Sequence, residues 1–167
     1  MNYAKIRNFD VSNGPNVRST LFVSGCTNGC EGCFNKDLQN FNYGNPWTLE
    51  VEENFIKHLK NPNIKGVNIL GGEPLDQTKD RDLYNLLYRI KKEVNKPIWL
   101  WSGYTFEDIK KDDKKKEIVG LVDVLIDGRF EIENRDITLK YRGSKNQRVI
   151  NVKKSLENNS IELLDIE

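Results

Sequence analysis

All three cysteines of this 167-residue chain lie close together, at Cys26, Cys30 and Cys33. Disulfide bonds use cysteines in pairs, and a structural zinc site takes four ligands. A C-x3-C-x2-C triplet therefore indicates a site that is one protein ligand short. The only histidine of the chain, His58, cannot build a site with several histidine ligands.

Three interpretations of the triplet are open on residue types alone. The cysteines could be buried without a chemical role, they could bind zinc with a ligand from outside, or they could hold a 4Fe–4S cluster. A cubane cluster with three protein thiolates leaves its fourth iron free to bind another molecule. Gly25, Gly29 and Gly32 favour the cluster, because small residues let a loop curve around it and expose backbone N–H groups to its sulfides.

The composition predicts a cytoplasmic protein with one domain over residues 1–167. Lys and Arg total 26 against 25 Asp and Glu, a net charge of +1 that gives no general attraction to nucleic acid or membrane. No apolar run approaches the roughly 20 residues of a membrane helix, and residues 1–10 lack the apolar core of a signal peptide. In the cytoplasm, clustered thiols stay reduced and more often bind metal or do chemistry.

Strand and helix patterns alternate along the middle of the chain. β-rich segments at residues 17–25, 65–72, 96–103 and 122–128 each end in a polar stretch with glycine. Helical patterns separate them at residues 50–60, with Thr48 as N-cap, and at residues 76–94 and 105–120. This order predicts an α/β fold with right-handed crossovers. Since a closed eight-unit barrel needs about 200 residues or more, we expect a partial, open (β/α) barrel with a mostly parallel sheet.

The flanking segments complete the predicted fold. Residues 3–9 read as a partner strand of residues 17–25, residues 34–47 as irregular, and residues 136–143 and 147–152 as further strands. The carboxyl ends of parallel strands meet at one edge of a sheet, where sites gather. We therefore expect the cysteines and the other glycine-containing stretches to line one edge.

The stretch Gly-Gly-Glu-Pro at residues 71–74 follows the second of these strands. By itself it is a turn, but with the C-x3-C-x2-C triplet it resembles the radical S-adenosylmethionine (SAM) superfamily. The resemblance implies a 4Fe–4S cluster whose open iron binds the amino and carboxylate groups of SAM, and reductive cleavage of SAM to a 5′-deoxyadenosyl radical. It also implies no catalytic side chain beyond the cluster and SAM. The implied cluster ligands are Cys26, Cys30 and Cys33, and the implied contacts of the methionine end of SAM are Gly71, Gly72, Glu73 and Pro74.

A narrower resemblance comes from the residues around the third cysteine. Much of the superfamily carries an aromatic residue just before it, whereas here Gly32 precedes Cys33 and Phe34 follows it. This pattern, with residues 10–26, 100–105, 123–130 and 141–150, resembles the small activating proteins of anaerobic ribonucleotide reductase, which are glycyl radical enzyme activases. Asn16 stands where those proteins usually have glycine. The resemblance implies the large subunit of anaerobic ribonucleoside-triphosphate reductase as partner, a flavodoxin-like electron donor, and no nucleic-acid or membrane partner.

The same resemblance implies further cofactor-binding residues. Ser102 and Gly103 correspond to the approach of the SAM ribose or methionine portion, and Asp127 to a residue that orients SAM or helps to hold a cation. Arg142 and Asn146, in a polar loop with Ser144 and Gln147, could meet the SAM carboxylate or ribose. Trp99 and Trp101 alternate with Leu100 along one strand, and we expect them to be packing residues and not part of a cofactor site. Arg18 is expected to close the site from below, and Phe34, Phe41 or Tyr43 to contact the partner.

Two alternative functions remain at this level. One is an activase for another glycyl radical enzyme of the formate-lyase type. The other, from a different class, is a non-catalytic zinc or nucleic-acid binding module, against which the near-neutral charge argues.

The first prediction concerns the metal content. Protein reconstituted without oxygen should hold about four irons per chain, and exchange of any one of the three cysteines for Ala should abolish the cluster, because the chain has no spare thiol. Iron analysis and the visible absorption spectrum measure this. A protein that takes up zinc alone, or an intact cluster in the Cys33→Ala variant, would contradict the cluster interpretation.

Overall fold

The protein is built on one open, mixed sheet of seven strands. The computed structural model describes residues 1–33 and 36–166. The strand order is β3-β1-β2-β4-β5-β6-β7, so that β3 and β7 are the two edges within the described residues. The four middle strands β2, β4, β5 and β6 are parallel, and every pairing outside them is antiparallel. The strands are β1 (Asn2–Asp10), β2 (Arg18–Val23), β3 (Asn45–Pro46), β4 (Val67–Gly71), β5 (Ile98–Trp101), β6 (Val124–Asp127) and β7 (Arg148–Asn151).

Helices occupy the connections between the parallel strands, which confirms the α/β class. They are α1 (Leu49–Leu59), α2 (Asp82–Arg89), α3 (Phe106–Ile109), α4 (Asp113–Val119) and, after β7, α5 (Val152–Asn158). The Thr48 side chain caps α1 as predicted, since it accepts a hydrogen bond of 3.2 Å from the backbone N–H of Val51. None of the helices in the described part of the chain is long and apolar enough to cross a membrane.

The two faces of the sheet are covered differently. On one face, strand residues such as Leu21, Ile69 and Leu125 pack with the helices into the main core. Residues of the alternate register, among them Trp99 and Ile126, form a second small cluster on the other face. Within the part of the chain that the structure describes, the side chains of Tyr141, Leu164 and Ile166 pack against this second cluster. It is the more open side of the molecule.

Two predicted helices are shorter than their sequence patterns. The pattern at residues 76–94 overlaps at Asp76 with a 3-10 turn, Pro74–Asp76, in which the Glu73 side chain accepts from the backbone N–H of Leu75. Regular helix starts only at Asp82. The last five residues of the pattern, Ile90–Val94, are π-helical. The pattern at residues 105–120 splits into α3 and α4, because the side chain of Asp112 accepts from Lys114 N and Lys115 N and so begins a new helix.

The strand prediction for residues 136–143 is wrong, whereas that for residues 147–152 is confirmed by β7. The Asp136 carboxylate accepts hydrogen bonds from the backbone N–H and the hydroxyl of Thr138, which turns the chain at once. Tyr141 then adopts a left-handed backbone with φ of 68°. The predicted irregular segment 34–47 also contains a 3-10 helix, Lys36–Gln39, and the short edge strand β3.

Arg18 is a buried cation at the amino end of β2. Its Nε donates to Asn68 Oδ1 at 2.7 Å, and its Nη2 donates to the carbonyl of Pro97 at 3.1 Å. The guanidinium also lies 5.2 Å from the centre of the Trp99 ring. Burial lowers the pKa of Arg18 to about 10, which leaves the side chain charged at neutral pH. Arg18 therefore sits at the base of the open face, at the end of the strand opposite to the cysteines.

The second prediction concerns this buried cation. Arg18→Ala should lower the free energy of unfolding by about 3 kcal/mol, because it leaves a cavity and several buried acceptors without a donor. Arg7→Ala is the control, since Arg7 is partly exposed and its ion pair with Asp10 at 3.5 Å should contribute less than about 1 kcal/mol. Urea unfolding of both variants measures the difference. Equal losses would contradict the structural role of Arg18.

Candidate functional site

A cavity of about 410 Å³ opens at the carboxyl edge of the parallel strands, as the strand order requires. The loop after β2, the turn after β4, the end of β5 and the loop before β7 all contribute to its wall. It brings together residues that are far apart in the chain. The predicted site residues that line it are Cys26, Cys30, Cys33, Gly71, Gly72, Glu73, Ser102, Gly103 and Arg142.

The three cysteines are partly buried free thiols that face this cavity. Burial raises the pKa of Cys26 and of Cys30, so that binding of a metal centre must release their protons. Among the described residues, no three His, Cys, Asp or Glu side chains converge closely enough to hold a single metal ion. Each thiolate of a cubane binds a different iron, which needs wider spacing than four ligands around one zinc. Three thiols that face one cavity could therefore each bind a different iron.

Glu73 is fully buried and ties three segments of the site together. Its Oε1 accepts from Asn28 Nδ2 in the cysteine loop at 2.8 Å and from the backbone N–H of Gly103 after β5 at 2.5 Å. Its Oε2 accepts from Leu75 N at 2.9 Å, which caps the turn after β4. Burial raises the pKa of Glu73 to about 7, although these hydrogen bonds oppose the rise. The supporting role expected from the sequence thus has a definite geometry.

A second carboxylate, Asp76, holds the same loop from the side of α2. Asp76 Oδ2 accepts from the backbone N–H of Thr27 at 2.8 Å, and Oδ1 accepts from the hydroxyl of Tyr104 at 2.5 Å. Burial, followed by the hydrogen bond with Asp76, raises the pKa of Tyr104 to about 12. The sequence analysis missed both residues, and only their position next to Gly-Gly-Glu-Pro and Ser-Gly could have indicated them.

The bare glycines of the site are required by the protein itself. A Cβ on Gly72 would overlap the carbonyl oxygens of Leu38 and Gly25, and one on Gly103 would overlap the Asn28 side chain. The resemblance implied that the glycines of the turn permit the close approach of SAM. The packing gives a second, independent reason for them, because the cysteine loop and the segment after it lie against the turn.

Three predicted residues lie outside the cavity wall. Pro74 is buried at the start of the 3-10 turn. Asp127 Oδ2 accepts from Phe106 N at 2.8 Å and from Arg148 Nη2 at 2.6 Å, and Oδ1 accepts from Arg148 Nε at 3.1 Å. Both carboxylate oxygens therefore serve the fold. Asn146 donates to the carbonyl of Arg129 at 2.7 Å. Conversely, Trp101 and Tyr141, which were not predicted as site residues, line the cavity.

The part of the chain that forms the cavity is also the part that is similar to known proteins. The chain matches the family described as "4Fe-4S single cluster domain" over residues 12–150. It is 41% identical over 150 residues to the anaerobic ribonucleoside-triphosphate reductase-activating protein of Pasteurella multocida, covering 88% of this chain and 95% of that one. This chain belongs to that family of activating proteins. Its Escherichia coli relative is 39% identical over 88% of this chain and 96% of that one, and its relative in phage T4 is 40% identical over 89% and 93%.

The residues present fit the cluster of this family and a polar ligand beside it. Among the described residues, Asn28 Oδ1 and Arg142 Nε are buried polar atoms of the cavity wall without a hydrogen-bond partner. Buried polar atoms are normally satisfied, so these two are suited to a bound polar molecule. Three thiols in the same wall supply an incomplete ligand set. The activating-protein family and the cavity thus agree on an iron–sulfur site.

The third prediction uses the raised pKa of Glu73. Because the carboxyl binds its proton more tightly in the folded protein, its contribution to stability falls as pH rises from about 4.5 to about 7. Glu73→Gln removes this loss. In metal-free protein, the free energy of unfolding of the variant relative to wild type should therefore increase by about 2 kcal/mol between pH 5 and pH 8.

Urea unfolding at the two pH values measures this change. Glu107→Gln is the matched control, because the hydrogen bond from Arg148 lowers the pKa of Glu107 and gives a pH dependence of opposite sign. A Glu73→Gln difference that stays constant with pH would show that the buried carboxyl does not titrate in this range.

Proposed function

We propose that this chain binds a 4Fe–4S cluster through Cys26, Cys30 and Cys33, binds SAM in the adjoining cavity, and generates the glycyl radical on the large subunit of anaerobic ribonucleoside-triphosphate reductase. The observation that carries the proposal is the shared cavity wall. An incomplete set of three thiols shares this wall with Gly71, Gly72 and Glu73 of the Gly-Gly-Glu-Pro turn, in a chain of the activating-protein family.

When bound, the cluster and SAM supply one-electron reductive cleavage of the sulfonium carbon–sulfur bond and a 5′-deoxyadenosyl radical that takes a hydrogen atom from the partner's glycine. The side chains of this protein position these groups and add no acid or base of their own. Glu73 and Asp76 hold the cysteine loop at Asn28 and Thr27. Trp101 and Leu70 supply apolar surface to the cavity wall.

Polar groups of the wall are suited to the two ends of SAM. The Gly71–Gly72 backbone and Ser102–Gly103 lie at neighbouring strand ends, where the methionine and ribose portions would bind. In this proposal Asp127 and Asn146 do not contact SAM themselves but support the segments that line the cavity. Their hydrogen bonds to Arg148 and to the Arg129 carbonyl fix the loops around the cavity mouth, and Pro74 fixes the turn.

The open face of the sheet supports a protein segment as substrate. The helices pack with the main core on one face, and the smaller cluster around Trp99 lies on the other, where we propose that an extended loop enters. A groove beside Cys33 is lined by Lys5, Lys36 and Tyr43. Phe41 and Tyr43 are each 42% exposed, and we propose them as partner contacts; Phe34 lies outside the described residues. A flavodoxin-like donor in the cytoplasm would supply the electron.

The fourth prediction tests the reaction and the partner together. Reduced, reconstituted protein with SAM should release 5′-deoxyadenosine and, with anaerobic ribonucleotide reductase, produce the EPR doublet of a glycyl radical. A formate-lyase-type enzyme is the parallel target, and the Cys33→Ala variant is the negative control. A doublet only on the formate-lyase-type enzyme would transfer the partner assignment to it. No cleavage of SAM by the wild-type protein would overturn the proposed function.

A further inference from the structure

The last described residues of the chain lie as an extended segment along the edge strand β7. We call residues 161–166 the tail. The backbone N–H of Leu164 donates to the carbonyl of Val149 at 2.9 Å, and the backbone N–H of Asn151 donates to the carbonyl of Glu162 at 2.8 Å. A sheet edge offers free N–H and C=O groups to any strand that comes beside it, and here the tail takes that place.

The side chains of the tail alternate between the sheet and solvent. Leu164 and Ile166 are partly buried and pack against the small cluster that contains Trp99 and Ile126. Leu163, next to Leu164, is 64% exposed. This alternation is that of an extended strand laid on an apolar surface. One side of the tail therefore covers the cluster on the open face of the sheet.

The direction of the tail leads towards the cavity. The strand β7 is antiparallel to β6, and the tail is antiparallel to β7, so that the tail runs towards the carboxyl edge of the parallel strands. Near its end, the carbonyl of Ile166 accepts from Lys140 Nζ at 3.2 Å. The neighbours of Lys140, which are Leu139 and Tyr141, line the cavity. An extended segment that follows this track therefore arrives at the cavity wall.

The covered surface belongs to the part of the chain that matches the cluster family, whereas the tail lies outside it. The match spans residues 12–150 and includes all four buried residues of the small cluster, which are Trp99, Val124, Ile126 and Val149. On the proposed function, a segment of the partner enters by this face. The tail thus occupies the surface that the partner needs. Its contacts also show what the surface accepts, namely an extended backbone with apolar side chains at alternate positions.

We propose that the edge of β7 and the small cluster are the docking site for an extended, apolar segment of the partner, and that this segment replaces the tail by strand addition. This inference rests on the proposed function and adds to it a docking site and a competitor within the chain. In the free protein the tail keeps the site closed. The apparent affinity for the partner is then reduced by the fraction of molecules whose site is open.

The fifth prediction concerns release of the tail. Leu164→Ser, and a chain that ends after Glu162, should each bind the purified large subunit of anaerobic ribonucleotide reductase about threefold to tenfold more tightly than wild type, because contacts that close the site are lost. The shortened chain keeps Ile161, which packs against the main core. Leu163→Ser is the matched control, since Leu163 is exposed in the same segment, and should change the affinity less than about twofold. Anaerobic titration calorimetry of the reconstituted proteins measures this.

Hydrogen exchange of the wild-type protein tests whether the partner replaces the tail. On addition of the reductase, peptides that cover residues 161–166 should lose protection, because the Leu164 N–H loses its acceptor on Val149. Peptides that cover residues 148–152 should stay protected, because the incoming strand supplies a new acceptor for the Asn151 N–H. Mass spectrometry measures both sets of peptides in the same sample.

The outcomes separate this inference from the proposed function. Unchanged or weaker reductase binding by both tail variants, or a tail that gains protection in the complex, would overturn the inference while binding by the wild type stands. Dimers of the shortened chain with unchanged reductase affinity would assign the surface to a second copy, which also overturns it. Absence of reductase binding by wild type and variants alike would overturn the proposed partner itself. Iron content and thermal melting identify a variant that has lost its fold, and exchange of the wild type then decides.

Discussion

The buried carboxylate of Glu73 is the interaction on which the site depends. In an apolar surrounding it must be hydrogen-bonded, and its three donors come from the cysteine loop, from its own turn and from the end of β5. Three segments separated along the chain are therefore fixed to one side chain. The same contact explains why Gly103 has no side chain, since a Cβ there would overlap Asn28. A change in any partner would move the cysteine loop relative to the strand ends.

The framework that carries this contact follows from periodicity and glycine placement. Each apolar segment that ends in glycine became a parallel strand, and parallel strands bring their carboxyl ends to one edge whatever the loops do. For this reason the sequence alone predicts that Cys26, Gly72 and Ser102 share one wall. Helix bounds were harder to predict, because Asp112 caps a new helix inside a pattern that looks continuous, and Glu73 caps a 3-10 turn at the start of another. The spacing of hydrophobic residues gives no information about such side-chain caps.

The course of residues 136–143 could not be predicted from the sequence, because it depends on contacts with distant residues. Residues 136–143 alternate like a strand, and nothing local signals a left-handed tyrosine. Trp101, forty residues earlier, supplies the hydrogen bond that holds it. Asp127 is a similar case. Its partner Arg148 lies directly opposite it on the antiparallel neighbour β7, a pairing that becomes visible only when the direction of β7 is known.

The amino and carboxyl ends of the parallel strands differ in how their polar groups are hydrogen-bonded. At the amino end of the strands, Arg18, Asn68, Thr20 and Asp10 form a closed network of short hydrogen bonds. At the carboxyl end, polar atoms remain unsatisfied and thiols face a cavity. Of these two ends, the carboxyl end therefore has the free polar groups and thiols that a ligand could bind. Because this small chain does not enclose that edge itself, the proposed reaction requires the partner to cover the cavity. Water would then be excluded at the moment when the substrate segment of the partner arrives.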